Sequence, residues 1–256
     1  MTSASTIFRW FCAIALYALS LCTLNGANIH VIGGQGAKAL KTDSSIELTR
    51  IGNFQQHFSL GKGVTETLSE PITSTVKGVE FTYQIKLTAL GKSPYLSARS
   101  KYFLRPGEGK FDHEQGVRVE IINVTTTSAP SAGSKVEFQG FTAFSLANAA
   151  KGTSVSFTPN TGIHQGQSLN FKRVSEEGLK PITQTADGST TLSEWTQGAN
   201  SVDLYYTELS GELRYLAFSF DTVSNTEPVG IPEPQSYALC IGLSTLCGAL
   251  LRRRRS

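Results

Sequence analysis

The central part of the chain alternates between apolar and polar residues with a period of two. The clearest run covers residues 79–89, Val-Glu-Phe-Thr-Tyr-Gln-Ile-Lys-Leu-Thr-Ala, in which every apolar side chain falls on one face. Successive side chains of a strand point to opposite faces, so this run predicts a half-buried β-strand. Weaker runs of the same kind cover residues 117–121, 136–138, 155–157, 169–171, 202–204 and 216–220.

Turn-forming residues separate these runs, for example Lys92-Ser93-Pro94 and Asp187-Gly188. The alternation slips at Ile121-Ile122 and at Gly140-Phe141, where a β-bulge would reset it. Helical periodicity is nearly absent, and only residues 143–150 suit a single helical turn. Short strands separated by turns predict an all-β fold for residues 28–223, namely an antiparallel β-sandwich of the jelly-roll or lectin-like type.

The end of the chain follows a different pattern. Pro232, Glu233 and Pro234 precede an apolar run over residues 237–251, and four arginines follow that run. Proline disfavours helix in the residue before it, so we expect a linker at 224–231 and a helix over 236–251. The apolar run would be about 22 Å long as a helix, against roughly 30 Å of hydrocarbon in a bilayer.

Two effects favour membrane insertion of this short helix. Arginines can extend their charged ends towards the interface, and a bilayer can thin locally. Positive residues also prefer the cytoplasmic side. A buried C-terminal helix of a soluble domain is the alternative, but a tetra-arginine end fits that poorly. The predicted anchor residues are Tyr237, Leu239, Ile241, Leu243, Leu246, Leu250 and Leu251, and the positive stop is Arg252, Arg253, Arg254 and Arg255.

The same tail resembles a known sorting signal. The sequence Ile-Pro-Glu-Pro-Gln-Ser-Tyr-Ala-Leu at 231–239, the Gly/Leu/Ala-rich span and the terminal arginines together look like the PEP-CTERM signal of Gram-negative bacteria. The resemblance is limited to residues 231–256. It implies recognition, with cleavage near the Pro-Glu-Pro motif, by exosortase, an integral-membrane cysteine protease. Proteins of this kind typically occur in bacteria that make extracellular polysaccharide.

The beginning of the chain is typical of a secretory signal peptide over residues 1–27. Arg9 supplies the positive charge, and residues 10–21 supply an apolar segment of suitable length. Cys22 follows Leu21 rather than the Ala or Gly of a lipoprotein signal, so we expect no lipid attachment. An uncleaved anchor is the alternative, and both interpretations send the body across the membrane.

Cysteine and charge usage exclude several classes of function. All four cysteines, Cys12, Cys22, Cys240 and Cys247, lie in the end segments, so the body holds no disulfide, cysteine nucleophile or zinc ribbon. Five of the 23 Lys and Arg residues and one of the 20 acidic residues lie in the leader and tail. The body is therefore close to neutral, which gives no basis for nucleic-acid binding.

The body contains one polar cluster of interest, Asp112-His113-Glu114, in a Gly-rich segment. Such residues can bind calcium or a transition metal, but three adjacent side chains do not all point one way, so a solvated turn is the favoured interpretation. No nucleophile elbow or phosphate loop is present. A glycosidase needs only two carboxylates about 5–10 Å apart, which stays open, although Glu176-Glu177 is interpreted as surface charge. We expect no enzymatic activity, metal or cofactor.

The candidate sugar contacts are Trp195, Tyr205 and Tyr206. Trp195 stands in a polar segment, and the two tyrosines are neighbours on a predicted strand, so one of them should face outward. Exposed aromatic rings are the usual platforms of carbohydrate-binding sandwiches. Core packing or a loop plug is the favoured interpretation.

Three functions remain. The first is a non-enzymatic surface or matrix protein, exported as an inner-membrane-anchored precursor and then displayed at the cell surface or released into the extracellular matrix. Its expected partners are exosortase, the membrane and, as a candidate, extracellular polysaccharide. The second is a carbohydrate-binding module, for which replacing Trp195 by Ala should weaken binding. The third is a secreted polysaccharide-cleaving enzyme, which needs a carboxyl group with a raised pKa in an acidic cleft.

Overall fold

The computed structural model describes residues 28–34, 47–107, 109–129, 133–174 and 180–224. The chain divides into two compact units, Met1–Val223 and Ser224–Ser256, and the fold described here is that of the first. The predicted signal peptide, the linker beyond Ser224 and the predicted membrane helix at 236–251 lie outside the described residues. Within those residues, no helix is both long enough and apolar enough to cross a bilayer.

The described part of the chain forms two β-sheets. The first sheet has the spatial order β2 (Glu47–Gly52), β1 (Asn28–Gly33), β13 (Glu212–Ser224), β7 (Phe103–Pro106) and β6 (Leu96–Arg99), with β9 (Ser134–Ala147) also paired to β13. Strands β1 and β13, β13 and β7, and β6 and β7 are antiparallel, whereas β1 and β2 are parallel.

The second sheet is antiparallel throughout its described pairs. Its spatial order is β11 (Leu169–Lys172), β10 (Ser154–Pro159), β12 (Ser201–Glu208), β8 (Gln115–Ser128), β5 (Val79–Gly91) and β3 (Glu66–Leu68), with β4 (Ile72–Val76) also paired to β5. Two helices of one turn, Phe54–His57 and Leu192–Trp195, begin at capping boxes.

The prediction of an all-β fold is confirmed. The parallel pair β1–β2 is a departure from the expected antiparallel pairing.

The alternating runs lie in strands, as predicted. Residues 79–89 fall within β5, whose apolar side chains from Val79 to Leu87 are buried. The register between β5 and β8 shifts opposite Tyr83, close to the predicted slip at Ile121-Ile122. Gly140 has φ +136° and lies in β9, so the second slip also coincides with an unusual backbone conformation.

The prediction of a helical turn at residues 143–150 is wrong, because β9 continues to Ala147. Phe144 and Leu146 of this strand belong to the main core, whereas Ala143 packs in a second cluster with Tyr215 and Ala217 of β13. Both faces of the strand are therefore buried. Burial on both faces places the apolar Ala143 and Ala147 where a half-buried strand would carry polar residues, which obscures the period of two.

Aromatic side chains hold the two sheets face to face. Phe81 and Tyr83 of β5 meet Phe220 of β13 with ring centroids 4.7 Å and 4.8 Å apart. Phe218 approaches Tyr83 edge-on at 6.0 Å. All four side chains are inaccessible to solvent. Such tilted and edge-to-face contacts add to the free energy gained by removing the rings from water.

His30 of β1 is enclosed by this aromatic cluster. Its ring is inaccessible to solvent, and its centroid lies 4.9 Å from that of Phe220. Nδ1 is hydrogen-bonded to the hydroxyl of Tyr83 at 2.9 Å, and Nε2 lies 3.5 Å from Oγ of Ser74. Burial disfavours the charged imidazolium and lowers the pKa of His30 from 6.5 to about 4. The histidine is therefore neutral in the folded protein near pH 7.

Acid should weaken the fold through His30. Because its pKa is lower in the folded than in the unfolded protein, the unfolded state binds more protons as the pH falls below 6.5. We expect the free energy of unfolding to decrease by about 2 kcal/mol from this residue alone between about pH 8 and about pH 5. Urea unfolding followed by Trp195 fluorescence measures this change.

The variant His30→Gln serves as the control, since its amide can bond to Tyr83 but does not titrate in this range. Its unfolding free energy should fall less steeply with pH, whatever its absolute stability. Equal slopes for the two proteins would contradict the assignment to His30.

Candidate functional site

A shallow groove lies at one end of the second sheet, where β5 ends and β8 begins. It has a volume of about 440 Å³ and opens widely to solvent. The groove is lined by Gly91, Lys92, His113, Glu114, Tyr205, Tyr206 and Thr207. We call it the Tyr205 groove. Its size falls within the range of roughly 300–1,000 Å³ that is typical of small-molecule sites.

The Tyr205 ring rests on two glycines of neighbouring strands. Tyr205 of β12 is paired with Gly116 of β8, which is in turn paired with Leu90 of β5, next to Gly91. A Cβ atom on Gly116 would lie 3.0 Å from Cδ1 of Tyr205, and one on Gly91 would lie 3.2 Å from Cε1. Any larger residue at either position would displace the ring. Because Gly116 and Gly91 have no side chains, the neighbouring strands leave room for the Tyr205 ring.

Tyr205 is half-buried on the outer face of the sheet. Burial is the largest cause of the raised pKa of its hydroxyl, and the nearby carboxylate of Asp203 adds to the effect. The hydroxyl is therefore protonated at neutral pH and can both donate and accept a hydrogen bond.

The loop that forms the wall of the groove is fixed by its own polar groups. The Asp112 carboxylate accepts a hydrogen bond from the amide of His113 at 2.8 Å. The amide of Asp112 donates to Oε1 of Gln115 at 3.0 Å, and the amide of Lys92 donates to the Glu114 carbonyl at 3.1 Å. The hydroxyl of Ser93 both donates to and accepts from the backbone of Gly116. These bonds hold the wall in one conformation.

The charges around the groove occur in pairs. Lys92 and Glu114 form an exposed ion pair, which lowers the pKa of Glu114 and raises that of Lys92, chiefly through their hydrogen bond. On the same face, Arg118 donates to both oxygens of Asp203, at 2.6 Å and 2.9 Å. Asn160 donates to Asp203 at 2.7 Å. The groove and its surroundings therefore carry polar groups but little net charge.

The two adjacent tyrosines face opposite ways, as the strand pattern predicted. Tyr206 points into the core, where its ring stacks on Phe111 with centroids 5.0 Å apart and planes 8° apart. Its side chain is 2% exposed, and burial raises the pKa of its hydroxyl. Tyr205 is therefore the tyrosine of the pair that is available to a ligand.

Trp195 does not line the Tyr205 groove. Its Nε1 donates to the Phe157 carbonyl at 3.0 Å, and its indole packs against the main core. The imidazole of His164 stacks on it with centroids 4.3 Å apart and planes 11° apart. One face of the indole is thus covered by His164, which makes Trp195 a less accessible platform than Tyr205.

His113 and Glu114 of the cluster Asp112-His113-Glu114 line the groove. The Asp112 carboxylate accepts a hydrogen bond from the loop backbone, whereas Glu114 forms an ion pair with Lys92. No group of His, Cys, Asp or Glu residues suitable for a metal ion occurs in the part of the chain that the structure describes. Sequence reasoning missed the role of Gly91 and Gly116, since nothing in the sequence indicates that they face Tyr205.

The predicted sorting residues lie outside the described residues. They are Pro232, Glu233, Pro234, the anchor residues Tyr237, Leu239, Ile241, Leu243, Leu246, Leu250 and Leu251, and Arg252, Arg253, Arg254 and Arg255.

Comparison of the chain with protein-family models, curated proteins and solved structures finds no match in any of the three.

Replacing Gly116 by Ala should destabilise the sheet beside the groove. The added Cβ would lie 2.2 Å from the backbone carbonyl oxygen of Leu204 and 3.0 Å from the Tyr205 ring. Because backbone must move to relieve the overlap, we expect the free energy of unfolding to fall by about 1–3 kcal/mol. The urea midpoint measures the loss.

Gly109→Ala is a matched control, since a Cβ at Gly109 meets no atom within 4 Å. Its urea midpoint should stay close to that of the unmodified protein. If the two variants have equal midpoints, the close approach of Tyr205 and Leu204 to Gly116 is wrong.

Proposed function

We propose that this protein is an exported, non-enzymatic surface or matrix protein whose β-sandwich body associates with extracellular polysaccharide. The observation that carries the proposal is the order of the last 25 residues: a Pro-Glu-Pro motif, an apolar run and four arginines. Each part has its own physical role. The prolines separate the segment from the body, the apolar run enters the bilayer, and the arginines fix its end in the cytoplasm.

The proposed route begins with a signal peptide at residues 1–27 and an inner-membrane precursor anchored by a helix over 236–251. Exosortase would then recognise Pro232, Glu233 and Pro234 and cleave nearby. The released body would reach the cell surface or the extracellular matrix. The resemblance of residues 231–256 to the PEP-CTERM signal supports this route.

For the body we propose a jelly-roll or lectin-like roll. Two features of the described strands support it. The first and last strands of the body, β1 and β13, are paired. The chain also passes repeatedly between the sheets, since β5, β8 and β12 lie in one sheet and β7, β9 and β13 lie in the other.

Replacing Arg252 to Arg255 by Gln should impair membrane retention or tail processing in the native host. Neutral residues remove the charge that opposes transfer of the tail end across the membrane. Membrane fractionation, together with mass spectrometry of both termini of the mature protein, measures the effect.

The matched control replaces the same four residues by Lys, which keeps the positive charge. We expect this variant to be retained and processed more normally than the Gln variant. Unchanged fractionation and termini in the Gln variant would count against the sorting proposal.

The Tyr205 groove supports an association with polysaccharide, and thereby the second candidate, a carbohydrate-binding module. The accessible lining of the groove, to which Tyr205 contributes, is almost wholly apolar, and the groove residues Lys92 and Glu114 form an ion pair. Sugar rings have an apolar C–H face and a rim of hydroxyl groups, so a site for them needs both kinds of surface. The hydrogen-bonded loop around Asp112 also limits the entropy lost on binding.

Tyr205→Ala should weaken binding to the host's own polysaccharide by about tenfold or more, because it removes the aromatic surface. Tyr205→Phe keeps the ring and should bind within about threefold of the unmodified protein. Co-sedimentation of the protein with the purified polysaccharide measures both values. Equal binding by the Ala variant and the unmodified protein would exclude the Tyr205 groove as the binding surface.

No observation in the described chain favours the third candidate, a polysaccharide-cleaving enzyme. A general acid needs a carboxyl group with a raised pKa. The carboxyl groups with a resolved shift are all shifted downward: the pKa of Asp187 falls to about 2, chiefly through the Thr185 hydroxyl, and those of Glu114 and Glu194 are also lowered. The non-enzymatic character of the body stays a prediction.

A further inference from the structure

The ionised groups beside the Tyr205 groove already have partners of opposite charge. Lys92 is paired with Glu114 at the groove itself. Arg118 forms a bidentate ion pair with Asp203, whose side chain is only 13% exposed. Further along the same face, Lys86 contacts Glu66 at 3.0 Å. This pairing determines which sugars the surface can accept.

We propose that the Tyr205 groove binds stretches of neutral hexose units rather than uronate, sulfated or phosphorylated sugars; this inference rests on the proposed association with polysaccharide. An anionic sugar gains affinity mainly from a free Arg or Lys. Here an anionic group could reach Lys92 only beside the carboxylate of Glu114, or Arg118 only beside the carboxylate of Asp203. Like charges at such distances repel.

A neutral sugar is not repelled by these carboxylates. Its hydroxyl groups both donate and accept, so they can bond to the ammonium of Lys92 and to the carboxylate of Glu114 without separating the two. Thr207 and His113 also line the groove. The apolar face of the sugar would stack against Tyr205, the outward-facing tyrosine of the lining.

The open shape of the groove favours internal units of a polymer as well as chain ends. The groove has a volume of about 440 Å³, which is much larger than one water molecule, and it opens widely to solvent. A continuing chain can therefore leave the groove without meeting a closed wall. One aromatic platform gives modest affinity for each chain segment, on the order of 1 mM.

The experiment uses the full chain in a zwitterionic detergent, because glycosidic detergents would themselves offer sugar rings. Calorimetric titration compares three neutral polymers of different linkage with the uronate polymer alginate. The neutral polymers are dextran, laminarin and galactomannan. The titrations are run at about pH 8, where free imidazole is neutral. We expect binding to at least one neutral polymer, with affinity that changes less than about twofold between about 50 mM and about 500 mM NaCl. Tyr205→Ala should lose this binding, and Tyr205→Phe should keep it.

Glu114→Gln provides a reciprocal test, since it leaves the Lys92 ammonium without its carboxylate partner. Glu114 is exposed, so the variant should fold normally. We expect it to gain salt-sensitive affinity for alginate of about fivefold or more relative to the unmodified protein.

The possible failures can be distinguished. Salt-sensitive binding of alginate by the unmodified protein would overturn the neutral-sugar inference and leave the proposed association with polysaccharide intact. Neutral binding that survives Tyr205→Ala would overturn the assignment to this groove. Binding to the host's polysaccharide but to none of the neutral polymers would also overturn the neutral-sugar inference. If the protein bound no polymer, including the host's own, the proposed association with polysaccharide would be overturned. Export and tail processing are tested separately, by fractionation and terminal mass spectrometry.

Discussion

The contact of Phe81 and Tyr83 with Phe218 and Phe220 is the constraint on which both sheets depend. Each sheet presents one apolar face, and neither face is stable unless the other covers it. Truncating one buried Phe to Ala typically costs about 3–5 kcal/mol, against a total stability of about 5–15 kcal/mol for a domain. The same packing encloses His30 in a neutral state, so the interior that stabilises the sandwich also makes it sensitive to acid.

The Tyr205 groove follows from the strand register that this packing fixes. A shift of one residue would turn every side chain of a strand to the other face. With β12 held by Val202, Leu204 and Tyr206 in the core, Tyr205 must face outward. The antiparallel register then brings Gly116 beneath its ring. The aromatic part of the candidate binding surface is thus a consequence of the core, whereas Lys92, His113 and Glu114 of the lining lie in loops.

The sequence predicted those strands that are buried on one face, because their alternation is visible at residues 79–89. It failed at residues 143–147, where burial on both faces puts Ala143 and Ala147 opposite the face of Phe144 and Leu146 and leaves Ser145 as the one polar residue. It also indicated that one of Tyr205 and Tyr206 faces outward, but not which one. The glycines under Tyr205 come from strands far away in sequence, so only the register could identify them. The polar neighbours of Trp195 left open whether its indole is packed or exposed; in the structure it packs against the core, and His164 covers one face.

The antiparallel pairing of β1 with β13 has a geometric consequence for tethering. Asn28 lies opposite Phe220, so the body begins and ends at one pole of the same sheet. If both termini were attached and pulled in opposite directions, the force between them would act at this one pole, across the β1–β13 ladder. Because the hydrogen bonds of an antiparallel pair run perpendicular to the strands, such a load would open them one after another rather than shear them together. The strand pair nearest the tether would then be the first part of the sandwich to yield under tension.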